Sequence, residues 1–154
     1  MVTFQVPTIG PATNKFYSGM HIQVRRRLAK QWHSDIAWLV KEQNIKPLSE
    51  EYYPATVQVY GIFGPKRRMF DADGLAATGK LNIDGLVRAG ILVNDSLKYI
   101  RNVEYIPQKG AETQTIVRIY YDDQYNTTHM NYKLTTREGL LQLAESIRRR
   151  QFKI

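Results

Sequence analysis

The stretch from Pro54 to Ala89, PATVQVYGIFGPKRRMFDADGLAATGKLNIDGLVRA, predicts a strand, a basic loop and a helix in succession. Its β-branched and aromatic residues favour a strand over Pro54–Phe63, which Gly64-Pro65 ends. From Asp73 to Ala89 the apolar residues recur at helical spacing. Gly90 follows at the position where a left-handed C-terminal cap is expected.

Three glycines lie inside this predicted helix, at positions 74, 79 and 85. Each one disfavours a helix by roughly 1 kcal/mol relative to alanine. The sequence therefore predicts that tertiary packing against this helix compensates for its low intrinsic propensity.

A strand, a loop and a long helix are predicted before this stretch. Alternating apolar residues predict a strand over Val2–Ile9, and the loop after it continues to about Gly19. Apolar residues at helical spacing predict the first long helix from about Ile22 to Gln43. Trp32 and Trp38 fall in this helix, and both are expected in the core.

Two β-rich runs and a closing helix are predicted after it. The runs Lys98–Ile106 and Thr113–Tyr121 are joined by a short connection, which favours a β-hairpin. Thr135 and Glu138 form a capping-box pair ahead of a closing helix that extends to about Arg150.

The predicted order of elements, β-α-β-α-β-β-α, is typical of an α+β fold with helices packed against a sheet. We expect a compact mixed sheet of about four strands and two or three helices. A chain of 154 residues with 43% hydrophobic and 23% charged residues suits a single domain covering residues 1–154. This size argues against a multidomain enzyme.

The composition also bears on partners and compartment. The formal net charge of +8 attracts polyanions, so nucleic acid is the leading partner class. The absence of cysteine excludes disulfides and zinc knuckles and fits a reducing compartment. With no long apolar run, the chain is expected to be cytoplasmic, with no membrane partner and no small-molecule cofactor.

Three aspartates are candidates for a metal site: Asp71 and Asp73, in a D-x-D pattern, and Asp95 in the loop Val93–Ser96. In an extended segment residues i and i+2 point to the same face, so Asp71 and Asp73 can aim two carboxylates at one point. A cluster of carboxylates is poorly tolerated unless it is protonated or occupied by a cation, and Mg²⁺ prefers such oxygen ligands. In the alternative interpretation, Asp73 caps the helix and Asp71 lies in a turn.

Lys80 is a candidate for stabilising charge on a phosphate. It lies two turns after Asp73 on the same side of the predicted helix, about 10.5 Å further along the axis. A lysine beside a metal site can stabilise a phosphate under attack. The alternative is an exposed ion pair between Lys80 and Asp84, which follows it by four residues.

Two clusters of basic residues are candidates for holding DNA. The first lies early in the long helix, where cations oppose the helix dipole, so local helix physics does not explain it. The second lies just before the D-x-D pattern. The clusters comprise Arg25, Arg26, Arg27 and Lys30, and Lys66, Arg67 and Arg68. DNA gripped by the second cluster would pass over the carboxylates.

Taken in order, these motifs resemble the RusA-type Holliday junction resolvases, a family common in phages and prophages. The residues that carry the resemblance are Arg67-Arg68, Asp71-Ala72-Asp73-Gly74-Leu75, Lys80, Asp84-Gly85-Leu86, Ala89-Gly90-Ile91-Leu92 and Asn94-Asp95-Ser96. The close match spans about residues 66–107. Its specificity comes from the combination of these motifs in one order on a basic domain of this length.

The resemblance implies a homodimeric, magnesium-dependent endonuclease that recognises four-way DNA junctions and cuts symmetrically placed strands in DNA recombination and repair. Manganese is the expected substitute for magnesium. The metal-binding and catalytic aspartates implied are Asp71, Asp73 and Asp95, and the essential lysine is Lys80. The implied location is the cytoplasm of a bacterium or of a phage-infected host.

The chain departs from the family pattern at two points. Family members often have asparagine after the second aspartate, where this chain has Gly74. The interval from Asp73 to Lys80 is about one helical turn longer than in the founding type of the family, and other phage-encoded members share the longer form.

Two further functions fit parts of the sequence. The basic clusters alone would support a junction or single-stranded DNA-binding protein without catalysis, which magnesium-dependent cutting distinguishes from a nuclease. A D-x-D glycosyltransferase is disfavoured, because 154 residues leave little room for separate donor and acceptor sites.

Overall fold

A computed structural model of the protein describes residues 1–120. These residues belong to the compact unit Met1–Asp122, the first of two into which the chain divides. The predicted closing helix from Thr135 to Arg150 lies outside the described residues, and the assignment of the whole chain to a single domain stays a prediction.

The described residues form four strands, three α-helices and two short 3₁₀ turns. In chain order they are β1 (Val2–Val6), α1 (Thr13–Tyr17), α2 (Ile22–Glu42), a 3₁₀ turn (Glu50–Tyr52), β2 (Ala55–Phe63), a second 3₁₀ turn (Ala72–Leu75), α3 (Ala76–Arg88), β3 (Ile100–Lys109) and β4 (Gln114–Tyr120). The predicted α+β fold with a four-stranded mixed sheet is confirmed. The short helix α1 lies in a segment predicted to be a loop.

The strands form one sheet in the order β1-β4-β2-β3. Strand β4 pairs antiparallel with both β1 and β2, while β3 pairs parallel with β2. The predicted hairpin of the last two β-rich runs is therefore wrong, because β2 lies between them. Strand β2 is buried at seven of its nine positions, and a strand so deeply buried takes a neighbour on each side.

The connection from β3 to β4 crosses the end of β2. Two backbone N–H groups fix the crossing: Gly110 donates to the carbonyl of Phe63 at 3.0 Å, and Gly64 donates to the hydroxyl of Thr113 at 3.1 Å. The connection is as short as a hairpin loop, so its length did not reveal the crossing.

The core lies between one face of the sheet and the helices α2 and α3. Trp32, Ile36 and Val40 recur every four residues on α2, and all three are buried. Trp38 lies about 240° round the helix from Trp32 and is 61% exposed. The prediction that Trp38 belongs to the core is therefore wrong.

The glycines of α3 allow close packing. A Cβ atom at Gly79 would overlap the ring of Tyr105 on β3, and one at Gly85 would overlap Ile36 on α2. The predicted tertiary packing is present at these two glycines, because each lets a neighbouring element approach the helix backbone. Gly74 lies instead in the 3₁₀ turn before α3. Gly90 has φ +74°, as predicted for a left-handed cap. Together these contacts fix α3 relative to the sheet.

Candidate functional site

Asp71 and Asp73 lie where the basic loop leads into α3. Asp71 has extended backbone and precedes the 3₁₀ turn Ala72–Leu75, of which Asp73 is part. Both aspartates are exposed, and neither carboxylate makes a hydrogen bond or ion pair with another residue of the range 1–120. They share a cleft of about 200 Å³ with Arg68.

Thr13, at the start of α1, holds this acidic turn in place. Its hydroxyl donates to the carbonyl of Asp73 at 2.6 Å and accepts from the N–H of Ala77 at 3.2 Å. It therefore satisfies one of the unpaired N–H groups at the start of α3, which the alternative interpretation assigned to an aspartate. Sequence reasoning missed Thr13, because the two partners are 60 and 64 residues away along the chain.

Replacing Thr13 with valine is expected to lower the free energy of unfolding by about 1–2 kcal/mol. Valine keeps the shape but loses both the donor to Asp73 and the acceptor for Ala77. Urea denaturation followed by circular dichroism measures the change. Thr13→Ser keeps the hydroxyl and should retain most of the stability. Equal stability of Thr13→Val and the wild type would contradict this role.

Lys80 bridges two carboxylates. Its Nζ lies 2.8 Å from Oδ1 of Asp84 and 2.6 Å from Oδ2 of Asp95. The alternative interpretation of an ion pair between Lys80 and Asp84 is confirmed, and the contact with Asp95 joins positions 15 residues apart. Lys80 thus points along α3 toward the loop of Asp95.

The contacts of Lys80 with the two carboxylates shift the pKa values of Lys80 and Asp95. Burial alone would lower the pKa of Lys80, but its hydrogen bonds to Asp84 and Asp95 outweigh burial and raise the pKa above its ordinary value. The hydrogen bond from Lys80 lowers the pKa of Asp95. The side chains of Lys80, Asp84 and Asp95 are 49%, 31% and 43% exposed, so solvent reaches all three.

Hydrogen bonds of the residues on either side of Asp95 hold its loop in place. The side-chain oxygen of Asn94 accepts from the N–H of Ser96 at 2.9 Å, which forms a local turn around Asp95. The N–H of Val93 donates to the hydroxyl of Tyr53 at 3.1 Å. The ring of Tyr53 also packs edge-on against Tyr99, with ring centroids 5.2 Å apart. Asp95 is therefore anchored to the start of β2.

The three predicted metal ligands are not gathered at one point. Within residues 1–120, no set of three or more aspartate, glutamate, histidine or cysteine side chains is arranged to hold a metal ion. Carboxylate oxygens suit Mg²⁺ or Mn²⁺ chemically, yet this arrangement pairs Asp95 with Lys80 and leaves Asp71 and Asp73 at the start of α3. The magnesium site stays a prediction.

Arg25, in the first basic cluster, contacts the elements beside this site. Its guanidinium lies 5.8 Å from the ring centroids of both Phe16 and Tyr17 and donates to the carbonyl of Tyr17 at 3.2 Å. Burial raises the pKa of Tyr105, the nearby Tyr17 adds to this effect, and Lys80 opposes it. The ring of Tyr105 packs against Gly79, the residue before Lys80 on α3.

The second basic cluster lies beside the acidic turn. Arg67 donates to the carbonyl of Ile9 at 3.3 Å and lies over the ring of Phe70, so it has a structural role. Arg68 is exposed in the cleft that Asp71 and Asp73 line. The predicted DNA-binding residues with exposed side chains are Arg26, Arg27, Lys30, Lys66 and Arg68.

His33 on α2 packs against the same helix that carries Lys80. Burial lowers its pKa, the charge of Arg88 lowers it further, and the charge of Asp84 partly opposes both. Its Nε2 is buried and has no hydrogen-bond partner among the described residues. The neutral ring is therefore the form that the fold favours.

His33 should make the protein less stable in acid. Because its pKa is lowered in the folded state, the unfolded chain takes up the proton first as the pH falls below about 6.5. The contribution of neutral His33 to the free energy of unfolding is complete above that pH, and it is lost as the pH falls toward the lowered pKa of His33 in the folded state. Urea denaturation at pH 7.5 and pH 5.5 should show a smaller loss of stability in His33→Gln than in the wild type. Equal losses in the two proteins would exclude His33 as a contributor.

No protein-family model matches the chain, and no curated protein matches it in sequence. The similarity to RusA-type resolvases therefore depends on the motif residues of the chain itself. None of the helices within residues 1–120 combines the length and the apolar content that crossing a membrane requires.

Proposed function

We propose that the protein is a magnesium-dependent endonuclease that resolves four-way DNA junctions by symmetric strand cleavage. One observation carries the proposal: Lys80 and Asp95, which belong to separate motifs of the RusA-type pattern, are in contact at 2.6 Å. Asp71 and Asp73 lie just before the helix that carries Lys80. The proposed ligands and Lys80 thus lie in one continuous segment, from the turn before α3 to the loop after it.

The residues of the site have separate roles in this proposal. When bound by carboxylates, Mg²⁺ lowers the pKa of a water molecule and neutralises charge on the attacked phosphate. Asp71, Asp73 and Asp95 supply oxygen ligands of the right chemistry. Lys80 has three N–H donors, of which Asp84 and Asp95 accept two. The third is available to a phosphate oxygen, where its charge stabilises the transition state.

The exposed cations of the two basic clusters would bind the DNA backbone. Arg68 lies in the same cleft as Asp71 and Asp73, so a phosphate that it binds lies close to the carboxylates. Contacts of this kind carry no sequence information and weaken as salt concentration rises. They fit the recognition of branched DNA by its shape.

The symmetry of the proposed DNA substrate favours a particular oligomeric state of the protein. A four-way junction has two-fold symmetry, and one cut alone leaves it unresolved. A homodimer with two-fold symmetry would place two equivalent sites on the two strands to be cut. We therefore propose that the active protein is a homodimer, which light scattering would test.

A cleavage assay tests the proposal. An end-labelled four-way junction and a plain duplex of the same sequence are incubated with the protein, with and without Mg²⁺. We expect symmetric nicks in the junction with Mg²⁺, and neither product without Mg²⁺ nor cutting of the duplex. Binding of the junction without any nicked product under all conditions would overturn the nuclease proposal.

One observation favours a second candidate, a junction-binding protein without catalysis. Among the residues that the structure describes, no set of three potential metal ligands is gathered. Such a protein would bind the junction with an affinity that falls with salt, whether or not Mg²⁺ is present. The same assay separates the two candidates, because only the nuclease yields nicked DNA.

A further inference from the structure

We infer that Asp84 is a positioning residue for the proposed cleavage reaction, and that it acts by holding the ammonium group of Lys80. The inference rests on the proposed function. It assigns to Asp84 a role that is separate from metal binding and from contact with DNA.

The ion pair between Asp84 and Lys80 lies within α3. Asp84 follows Lys80 by one helical turn, so the two side chains meet on one face of the helix, with Nζ and Oδ1 2.8 Å apart. The backbone around Asp84 is fixed, because Ile83, Gly85 and Leu86 are all buried. Its contact with Lys80 therefore does not depend on the position of any loop.

Asp95 holds Lys80 in a different way. It lies in the loop between α3 and β3, and it is also one of the three proposed metal ligands. A carboxylate that turns its oxygens toward a divalent cation is no longer fully available to the ammonium group. Asp84 is then the partner that keeps the long, flexible side chain of Lys80 beside the loop of Asp95.

The surroundings of Asp84 favour this role over that of a metal ligand. Lys80 precedes it by one turn of α3 and Arg88 follows it by one turn, so the sequence places a cation on each side. The charges of Arg88 and Asp84 shift the pKa of His33 on α2 in opposite directions. A carboxylate flanked by two cations is a poor ligand for a third.

The test compares Asp84→Asn with Asp84→Glu and with a matched control. Asp35→Asn makes the same change in charge on α2, where Asp35 accepts a hydrogen bond from Gln31, and it should cut normally. For Asp84→Asn we expect the single-turnover cleavage rate to fall about 10- to 100-fold. Its affinity for the junction should not fall, and the Mg²⁺ concentration at half-maximal rate should stay unchanged. Asp84→Glu should recover most of the rate.

Two results would overturn the inference. An unchanged cleavage rate in Asp84→Asn would show that Asp84 does not matter to the reaction. A higher Mg²⁺ requirement in Asp84→Asn would make Asp84 a metal ligand instead of a positioning residue.

A second measurement does not depend on activity. The rate at which acetic anhydride modifies Lys80, followed by peptide mass spectrometry, should rise several-fold in Asp84→Asn and stay unchanged in Asp35→Asn. If the wild type fails to cut junctions, the proposed function fails, while the acetylation rates still decide whether Asp84 positions Lys80. Equal acetylation of Lys80 in wild type and Asp84→Asn would exclude that contact in solution.

Discussion

Asp73→Asn is expected to reduce junction cleavage by at least about 100-fold while leaving junction binding intact or tighter. The asparagine has nearly the shape of aspartate but lacks the negative charge that a divalent cation requires. Because the side chain is exposed and makes no hydrogen bond or ion pair with another residue of the range 1–120, the fold should be unaffected. Removing one negative charge beside phosphates favours DNA binding.

Three measurements make this prediction specific. Cleavage of the labelled junction with Mg²⁺ gives the rate, and a gel-shift titration without Mg²⁺ gives the affinity. Urea denaturation shows that the variant is folded. Asp35→Asn, which carries the same charge change on α2, should cut like the wild type. Undiminished cleavage by Asp73→Asn would remove Asp73 from the proposed metal site.

Lys80→Met is expected to lower the cleavage rate by about 100-fold for a different reason. Methionine keeps much of the apolar stem but removes the ammonium group, so no cation remains between Asp84 and Asp95. The developing charge on the phosphate then lacks its proposed donor. The rate should fall at saturating junction concentration, because binding depends mainly on the exposed arginines and lysines of the two basic clusters.

The control for this variant is Lys41→Met, the same change in the last turn of α2. Lys80→Arg keeps the charge but replaces a compact ammonium group with a planar one, so its rate should lie between the other two. If Lys80→Met cuts like Lys41→Met, then Lys80 is only an ion-pair partner, as in the alternative interpretation of the sequence.

The elements that follow a regular apolar pattern could be predicted from the sequence. Helix α2 ends within one residue of its predicted end, and β2 begins one residue after its predicted start. Helix α2 carries an apolar stripe at helical spacing, and β2 is a short run rich in β-branched and aromatic residues that Gly64-Pro65 ends. Trp38 shows the limit of residue type alone, because its angular position on α2, and not its hydrophobicity, determines its exposure.

Pairing between strands was harder to predict. The short connection after β3 is compatible with a hairpin, but β2 has the more deeply buried pattern and takes the place between β3 and β4. The local sequence shows how long a connection between two strands is, but not whether another strand lies between them. Apolar residues on both faces of β2 favour a central position in the sheet.

Within the candidate site, one contact could be predicted from the sequence and two could not. The spacing of Lys80 and Asp84 predicted their ion pair, because both lie on one helix. The bond between Lys80 and Asp95 depends on how the loop after α3 folds back, and the brace from Thr13 depends on tertiary packing. Neither leaves a periodic signal in the sequence.

The parallel pairing of β2 with β3 has a consequence for engineering. Two neighbouring parallel strands need a crossover between them, and here that crossover carries Asp71, Asp73, Lys80, Asp84 and Asp95. The residues of the candidate site thus lie in one contiguous cassette, from Ala55 to Lys109, while Thr13 and the cations of α2 come from outside it. A chimera that exchanges this cassette with another chain of the same topology should transfer the proposed metal ligands of the donor together with its second basic cluster, and keep the cations of α2 from the recipient.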